Sequence, residues 1–430
     1  MGVVDEFSAL GSESLLALRE QLQKEYLLLQ ERGLNLDLTR GKPSAEQLGF
    51  SNELLALPGS DDFRAADGTD CRNYGGLLGL AELREIFSPL LQVPTAQLLA
   101  SDNSSLSLMH DTVIHAMLFP LPGGRTRWAD VERPAFLCPV PGYDRHFSIC
   151  QKFGIEMIPV EPTADGLLDI DEIERLAASD PRIKGMWFVP KYGNPTGISI
   201  SEEHARRLAA MPTAADDFRL MWDDAYSVHH LTEHHITVAP ILALCAEAGH
   251  ADRVFVFGST SKVTFAGAGV SFLGASAANL DWFQGHLSKR TIGPDKVNQL
   301  RHVRFLRDAE GVQKLMERHR DSLAPKFAKV REILGEGLDG TGVASWTEAY
   351  GGYFISLDVL DGTAAEVIRL AKEAGIALTP AGSTYPYGKD PRDRNIRLAP
   401  SFPPVADLDT AMRAVVVCVK LAAVNKLIGN

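Results

Sequence analysis

A chain of 430 residues, 45% of them hydrophobic, is long enough to bury more than one core, and more than one domain is expected. Its net charge of -12 excludes a general nucleic-acid binder, which needs a basic surface to neutralise phosphates. No stretch approaches the roughly 18 uninterrupted apolar residues of a membrane span, and the five scattered cysteines, with no CxxC, read as reduced thiols of a cytoplasmic protein.

The start of the chain, MGVVDEFSALGSESLLALREQLQKEY, is acidic and amphipathic and lacks the basic start and short apolar run of a signal peptide. SDNSSLSLMHDTV then runs from a hydroxyl-rich loop into an apolar helix. From residue 135 onward short apolar runs recur: AFLCPV, IEMIPV, GMWFVP, RLMWDD and RVFVFG. They are mostly unalternating and rich in Val, Ile, Phe and Trp, the pattern of strands buried on both faces. Helical segments lie between them, among them LDIDEIERLAAS and SISEEHARRLAAMP, the second capped by Ser199 or Ser201. Strands alternating with helices predict an α/β fold with a mostly parallel sheet covered by helices. Beyond it, one long charged helical region (297–334) leads to a GGYFISLDV strand, the helix AAEVIRLAKEAG, NIRLAP and a last helix. These read as a smaller α/β C-terminal domain beginning near residue 300, and the interleaved acids and bases of the long region read as a solvated face.

In an open parallel sheet, ligands bind beyond the carboxyl ends of the strands. There the chain places KYGNPTG after GMWFVP, DDAY after RLMW, and GSTSK after RVFVF. Together these supply an amide, a carboxylate, a phenol, hydroxyls and an amine along one edge. That set meets the needs of pyridoxal phosphate: a lysine for the aldehyde, a carboxylate to keep the ring nitrogen protonated, donors for the phenolate, and hydroxyls with backbone N–H groups for the phosphate.

With NPTG, DDAY and STSK in that order, the chain resembles the class I/II aminotransferases of fold type I, and most of all the bacterial aspartate aminotransferases of subgroup Ic. The resemblance runs from LTRGKP to NIRLAP. It implies that Lys262 carries the cofactor imine and later moves the proton between substrate Cα and cofactor. It implies Asp223 on the ring nitrogen, with Asp224 the adjacent competitor, and Tyr226 and Asn194 on the phenolate oxygen, Asn194 also facing substrate. Pro195 would follow a cis bond. Tyr143 would stack on the ring and His146 would support Asp223. Ser104, Ser105 and the amide of Leu106, with Ser259 and Ser261, would cradle the phosphate, and Tyr74 would reach the partner subunit's phosphate across an obligatory homodimer. Arg397 and the backbone of Gly41 would grip the substrate α-carboxylate, and Lys289, Arg290 or Lys296 would face a distal one.

One position departs from the family: Val270 stands where relatives carry a phosphate-binding arginine, and Lys296 or a neighbouring basic residue is the candidate replacement. Two motifs mislead. GAGVSF lacks the last small residue of a dinucleotide loop, because Phe272 is there. His230 and His234 in VHHLTEHH have the spacing of zinc ligands on a helix, yet nothing completes such a site, and no metal is expected. The resemblance implies domains of 1–50 (a segment packing with the small domain), 51–300 (large, cofactor-binding) and 301–430 (small). It implies ping-pong amino transfer between an amino acid, with aspartate favoured, and 2-oxoglutarate. The alternatives are a β-lyase, an aminotransferase of other substrate range, or a cofactor-sensing regulator. The regulator would need a helix-turn-helix module before LTRGKP, where few residues stand.

Overall fold

The computed structural model describes residues 7–429; the first six residues of the acidic start lie outside the described residues. The strands are β1 (Leu36–Asp37), β2 (Leu98–Ser101), β3 (Ala135–Pro139), β4 (Glu156–Val160), β5 (Ile183–Phe188), β6 (Arg219–Asp223), β7 (Val254–Ser259), β8 (Ser271–Ala275), β9 (Ala344–Trp346), β10 (Ile355–Val359), β11 (Ile376–Ala377) and β12 (Asn395–Leu398). The helices of the first half are α1 (Ser12–Glu31), α2 (Ala45–Gly49), α3 (Ala81–Leu91), α4 (Ser105–Leu118), α5 (Asp144–Phe153), α6 (Ile170–Ser179) and α7 (Glu202–Ala210). Those that follow are α8 (Ile241–Glu247), α9 (Ala277–Arg290), α10 (Lys296–Leu306), α11 (Ala309–Leu338), α12 (Ala364–Glu373) and α13 (Val405–Gly429).

A seven-stranded sheet, ordered β2-β8-β7-β6-β5-β3-β4, forms the centre. Strands β3 to β7 run parallel, whereas β8 is antiparallel to both β2 and β7. β3, β5, β6 and β7 are buried along almost their whole length, because helices cover both faces; this is why their apolar runs do not alternate. Ser201 caps α7 by accepting from His204 N, while Ser199 Oγ accepts from Tyr192 N (3.0 Å) and holds the loop before it.

The smaller part has β12-β10-β9 as an antiparallel sheet, with β1 paired to β11 beside it. Its core also takes Phe7, Leu22 and Tyr26 from the start of the chain, and Tyr26 Oη donates to Leu370 O (3.0 Å). The single charged helical region expected over 297–334 is two helices. Arg307 breaks it with φ +69°, and Asp308 caps the second helix through Gly311 N (2.8 Å). α10 then packs on α3, and α11 spans both cores: Val312, Leu315 and Met316 belong to the core of the large sheet, Leu323 and Phe327 to the other.

Candidate active site

The ends of β5, β6 and β7 deliver their polar residues to one edge. Asp223 ends β6, buried. Its Oδ2 lies 2.9 Å from His146 Nε2, while Oδ1, sealed from solvent, has no partner in the protein. His146 sits in the first turn of α5, its ring stacked on Trp187 (4.4 Å, 10°) and met edge-on by Tyr143 at 5.0 Å. A buried carboxylate with one oxygen unanswered calls for a cationic N–H donor. A protonated pyridine nitrogen is such a donor.

Lys262 follows β7 in a turn closed by Val263 N donating to Thr260 O (2.9 Å). Its Nζ stands 4.9 Å above the Tyr226 ring and 6.0 Å from that of Tyr353. Burial lowers the pKa of this amine, and the charge of Asp223 opposes that fall only in part. Burial, reinforced by Tyr143 and Asp223, keeps the Tyr226 phenol protonated, so it is a donor.

Ser104 caps α4, its Oγ accepting from Leu106 N (3.3 Å), and Ser105 opens the helix. Ser259 and Ser261 share a hydroxyl–hydroxyl bond of 3.1 Å. β8 joins the two groups: Ser271 pairs with both Ser101 and Ser259, and its N–H donates to Asp102 O (3.1 Å). Hydroxyls therefore gather beside a helix N-terminus, an arrangement suited to a phosphate. Val270 O accepts from Thr260 N (2.8 Å), Val270 N donates to the Thr260 hydroxyl Oγ1 (2.9 Å), and the Val270 side chain is buried in the core. The basic candidates nearby are engaged. Lys296, buried, donates to Asn73 O (2.8 Å) and Gly75 O (2.6 Å), and so pins the segment that carries Tyr74. Arg290 pairs with Asp102 (2.7 Å) and Asp111 (3.0 Å). Lys289 lies beside it in the last turn of α9, and Tyr74 is 81% exposed.

Arg397 lies buried on β12. One of its amino groups contacts Asp144 Oδ1 (3.1 Å) and Asn194 Oδ1 (3.3 Å), its plane sits 4.9 Å from the Phe354 ring centre, and its Nε has no partner. Asn194 is held by a turn in which the bond to Pro195 is cis and Gly197 N donates to Gly193 O (2.6 Å). Gly41 packs under the same ring: a Cβ there would collide with Phe354. Of the residues expected from the sequence, Asp223 and His146 thus meet at the end of β6, Ser259 and Ser261 meet after β7, and Arg397 meets Asn194, while Tyr74 is exposed and Lys296 and Arg290 are engaged elsewhere.

Sequence reading missed Tyr353, Phe354, Gln47, His319 and Asp144. Gln47 donates to Tyr353 Oη (3.0 Å) and contacts His319 Nδ1 (3.0 Å), while His319 Nε2 meets Val263 O (3.1 Å) beside Lys262. Burial keeps His319 neutral down to a pKa of about 4. The one available signal was the GGYF run after a charged helix. His230 and His234 lie in a loop rather than on a helix. His230 stacks on His235 at 3.8 Å and meets Tyr192 Oη at 2.6 Å, and among the described residues no three potential ligands converge on a metal position.

Residues 10–430 match the family model described as aspartate amino-transferase. An aspartate aminotransferase of Corynebacterium glutamicum is 54% identical over 404 residues, 94% of this chain and 93% of that protein. The crystal structure of an aspartate transaminase from Corynebacterium glutamicum superposes with a TM-score of 0.96 at 52% identity, covering 99% of this chain and 100% of that one. An α-aminoadipate aminotransferase of Thermus thermophilus, complexed with N-(5'-phosphopyridoxyl)-L-leucine, shares the fold at a TM-score of 0.73 and 21% identity, over 93% and 95% of the two chains.

Proposed function

Because this chain belongs to the aspartate aminotransferase family, we propose that it uses pyridoxal phosphate to exchange an amino group between L-aspartate and 2-oxoglutarate, alternating between two half-reactions. The observation that carries this reading is the buried Asp223, held by His146 through one oxygen and with no partner for the other, at the strand edge that also bears Lys262.

Pyridoxal phosphate, when bound, supplies an aldehyde and an electron-withdrawing ring that stabilises negative charge at the substrate Cα. The chain's own residues do the rest. Asp223 Oδ1 would accept the ring N–H and keep it protonated, with His146 fixing the carboxylate. Tyr226 and Asn194 would donate to the phenolate oxygen, and Tyr143 would lie against the ring. Ser104, Ser105, Leu106 N, Ser259 and Ser261 would hold the phosphate, with Tyr74 of a second copy. Lys262 would tether the aldehyde. Its burial-lowered pKa leaves more free amine near neutral pH, so it serves as the base at Cα. Arg397, aided by Gly41 N–H, takes the α-carboxylate as a bidentate pair and orients Cα.

Support for the homodimer comes from the exposed Tyr74 on a segment pinned by Lys296. Five buried, unpaired cysteines support a cytoplasmic setting. The core that Phe7, Leu22, Tyr26 and Leu38 share with the C-terminal sheet supports a segment 1–50 packing with a small domain 301–430, apart from a large domain 51–300. The aspartate assignment is tested by initial rates with a panel of amino donors against 2-oxoglutarate. Aspartate is expected to give the highest kcat/KM; a strong preference for alanine or an aromatic donor overturns it.

A further inference from the structure

The strand ends that serve the catalytic cluster also bear two charges that it does not use. Lys191 comes three residues before Asn194, and Asp224 directly follows Asp223. Both line a cavity of about 280 Å³ to which Tyr143, Asn194, Lys262 and Arg397 contribute nothing. Its other walls are the end of α3, the segment of residues 235–238, and Glu317 and Arg320 on α11.

The groups inside are unequally satisfied. Asp224 Oδ1 is sealed from solvent and accepts no hydrogen bond from the protein. Lys191 is 9% exposed and donates to Ser227 O (2.6 Å), which leaves an ammonium with further protons to give. Among the described residues, the acid that Arg320 pairs with is the exposed Asp321 (3.1 Å). His230 and His235, stacked on each other, add no second carboxylate acceptor. A simple anion would meet Asp224 and Glu317; a simple cation would meet Lys191 and Arg320. A molecule with one charge of each sign satisfies both sets. We propose that this cavity is a second ligand site, separate from the catalytic one, that binds a free α-amino acid with its ammonium on Asp224 and its carboxylate on Lys191 and Arg320.

The site is placed to be felt at the catalytic edge. Glu317 and Arg320 flank His319, whose Nε2 contacts Val263 O next to Lys262. Asp224 gives the site a pH signature. Its pKa is raised to about 7, by burial above all, with Lys191 opposing the rise and Asp223 adding to it; Glu317 and Arg320 face it from α11, His230 and His235 from the loop. A bound ammonium favours the ionised form, so affinity rises as pH passes upward through about 7.

The test is calorimetric titration with glycine, on protein first treated with borohydride to fix any adduct at Lys262. Saturable binding is expected, weakened by about tenfold or more in Lys191→Met and in Asp224→Asn, kept in Arg397→Lys, and stronger at pH 8 than at pH 6 except in Asp224→Asn. Acetate and methylammonium each bind at least about tenfold more weakly than glycine. Arg320→Gln, on the helix, repeats the loss without touching a strand end, should Lys191→Met misfold. Binding abolished by Arg397→Lys but kept in Arg320→Gln would place the ligand in the catalytic site. Equal binding of acetate would make this an anion site, and no saturable binding would leave no ligand site at all; each of these results overturns the proposal.

Discussion

At the scale of single residues, Asp223 and Arg397 make different demands on the reaction. In the proposed reaction Asp223 would fix the protonation of the ring, which matters when charge develops at Cα, so Asp223→Asn is expected to lower kcat by about a hundredfold or more and to leave the fold intact; the measurement is steady-state kinetics beside a thermal melt. Arg397, in the same proposal, would bind the carboxylate in ground state and transition state alike. Arg397→Lys loses bidentate geometry and should raise KM for both substrates by about tenfold or more, with a smaller change in kcat. Gly41, besides the N–H proposed for the carboxylate, leaves space: Gly41→Ala would drive a methyl into Phe354, the ring beneath Arg397, and is expected to act like a mild Arg397 variant.

At the scale of elements, α10 and α11 show what the sequence could and could not reveal. Charge and apolar spacing run unbroken from Lys296 to Leu338, and the break at Arg307, a non-glycine residue at φ +69°, is marked locally only by the capping Asp308 that follows it. The break arises from tertiary packing, which lays α10 on α3 and sends α11 across to the other core. Arg307→Gly removes the strain at that position and is expected to stabilise the protein by up to about 1 kcal/mol, read from the denaturant midpoint. Leu334, fully buried on α11 in the C-terminal core, should lose about 2–5 kcal/mol as Leu334→Ala. The catalytic strands were legible because double burial makes them apolar throughout, and because their chemistry is concentrated in short polar runs just past each one. β8 was not, since Ser271, Gly274 and Ala275 dilute its signal, and its pairing with β2 and β7 is what brings the phosphate hydroxyls together. Tyr353, Phe354 and Gln47 were illegible for a related reason: each acts through a residue hundreds of positions away or on another element.

At the scale of the whole molecule, buried neutral histidines tie stability to pH. His319 has a folded pKa of about 4 and His230 of about 3, both below the ordinary value near 6.5. Between those limits the unfolded chain takes up protons that the folded chain refuses, so stability rises with pH across that window and is lost as pH falls from about 6.5 toward 4. Each such group contributes on the order of 1.4 kcal/mol per pH unit there, and His319→Gln should flatten the profile of denaturant midpoint against pH. Assembly is tested by mixing two inactive variants. Lys262→Ala and Tyr74→Ala chains, refolded together, should regain activity, because one hybrid site then holds both native residues; two variants that stay inactive together contradict sites shared between subunits. Everything above depends on the amine after β7. The direct measurement is borohydride reduction of the protein loaded with pyridoxal phosphate, followed by digestion and mass spectrometry. The account predicts a stoichiometric phosphopyridoxyl mass on the peptide that contains Lys262, and none on that peptide when L-aspartate is added first. Absence of the label, or its appearance on another lysine, would contradict it.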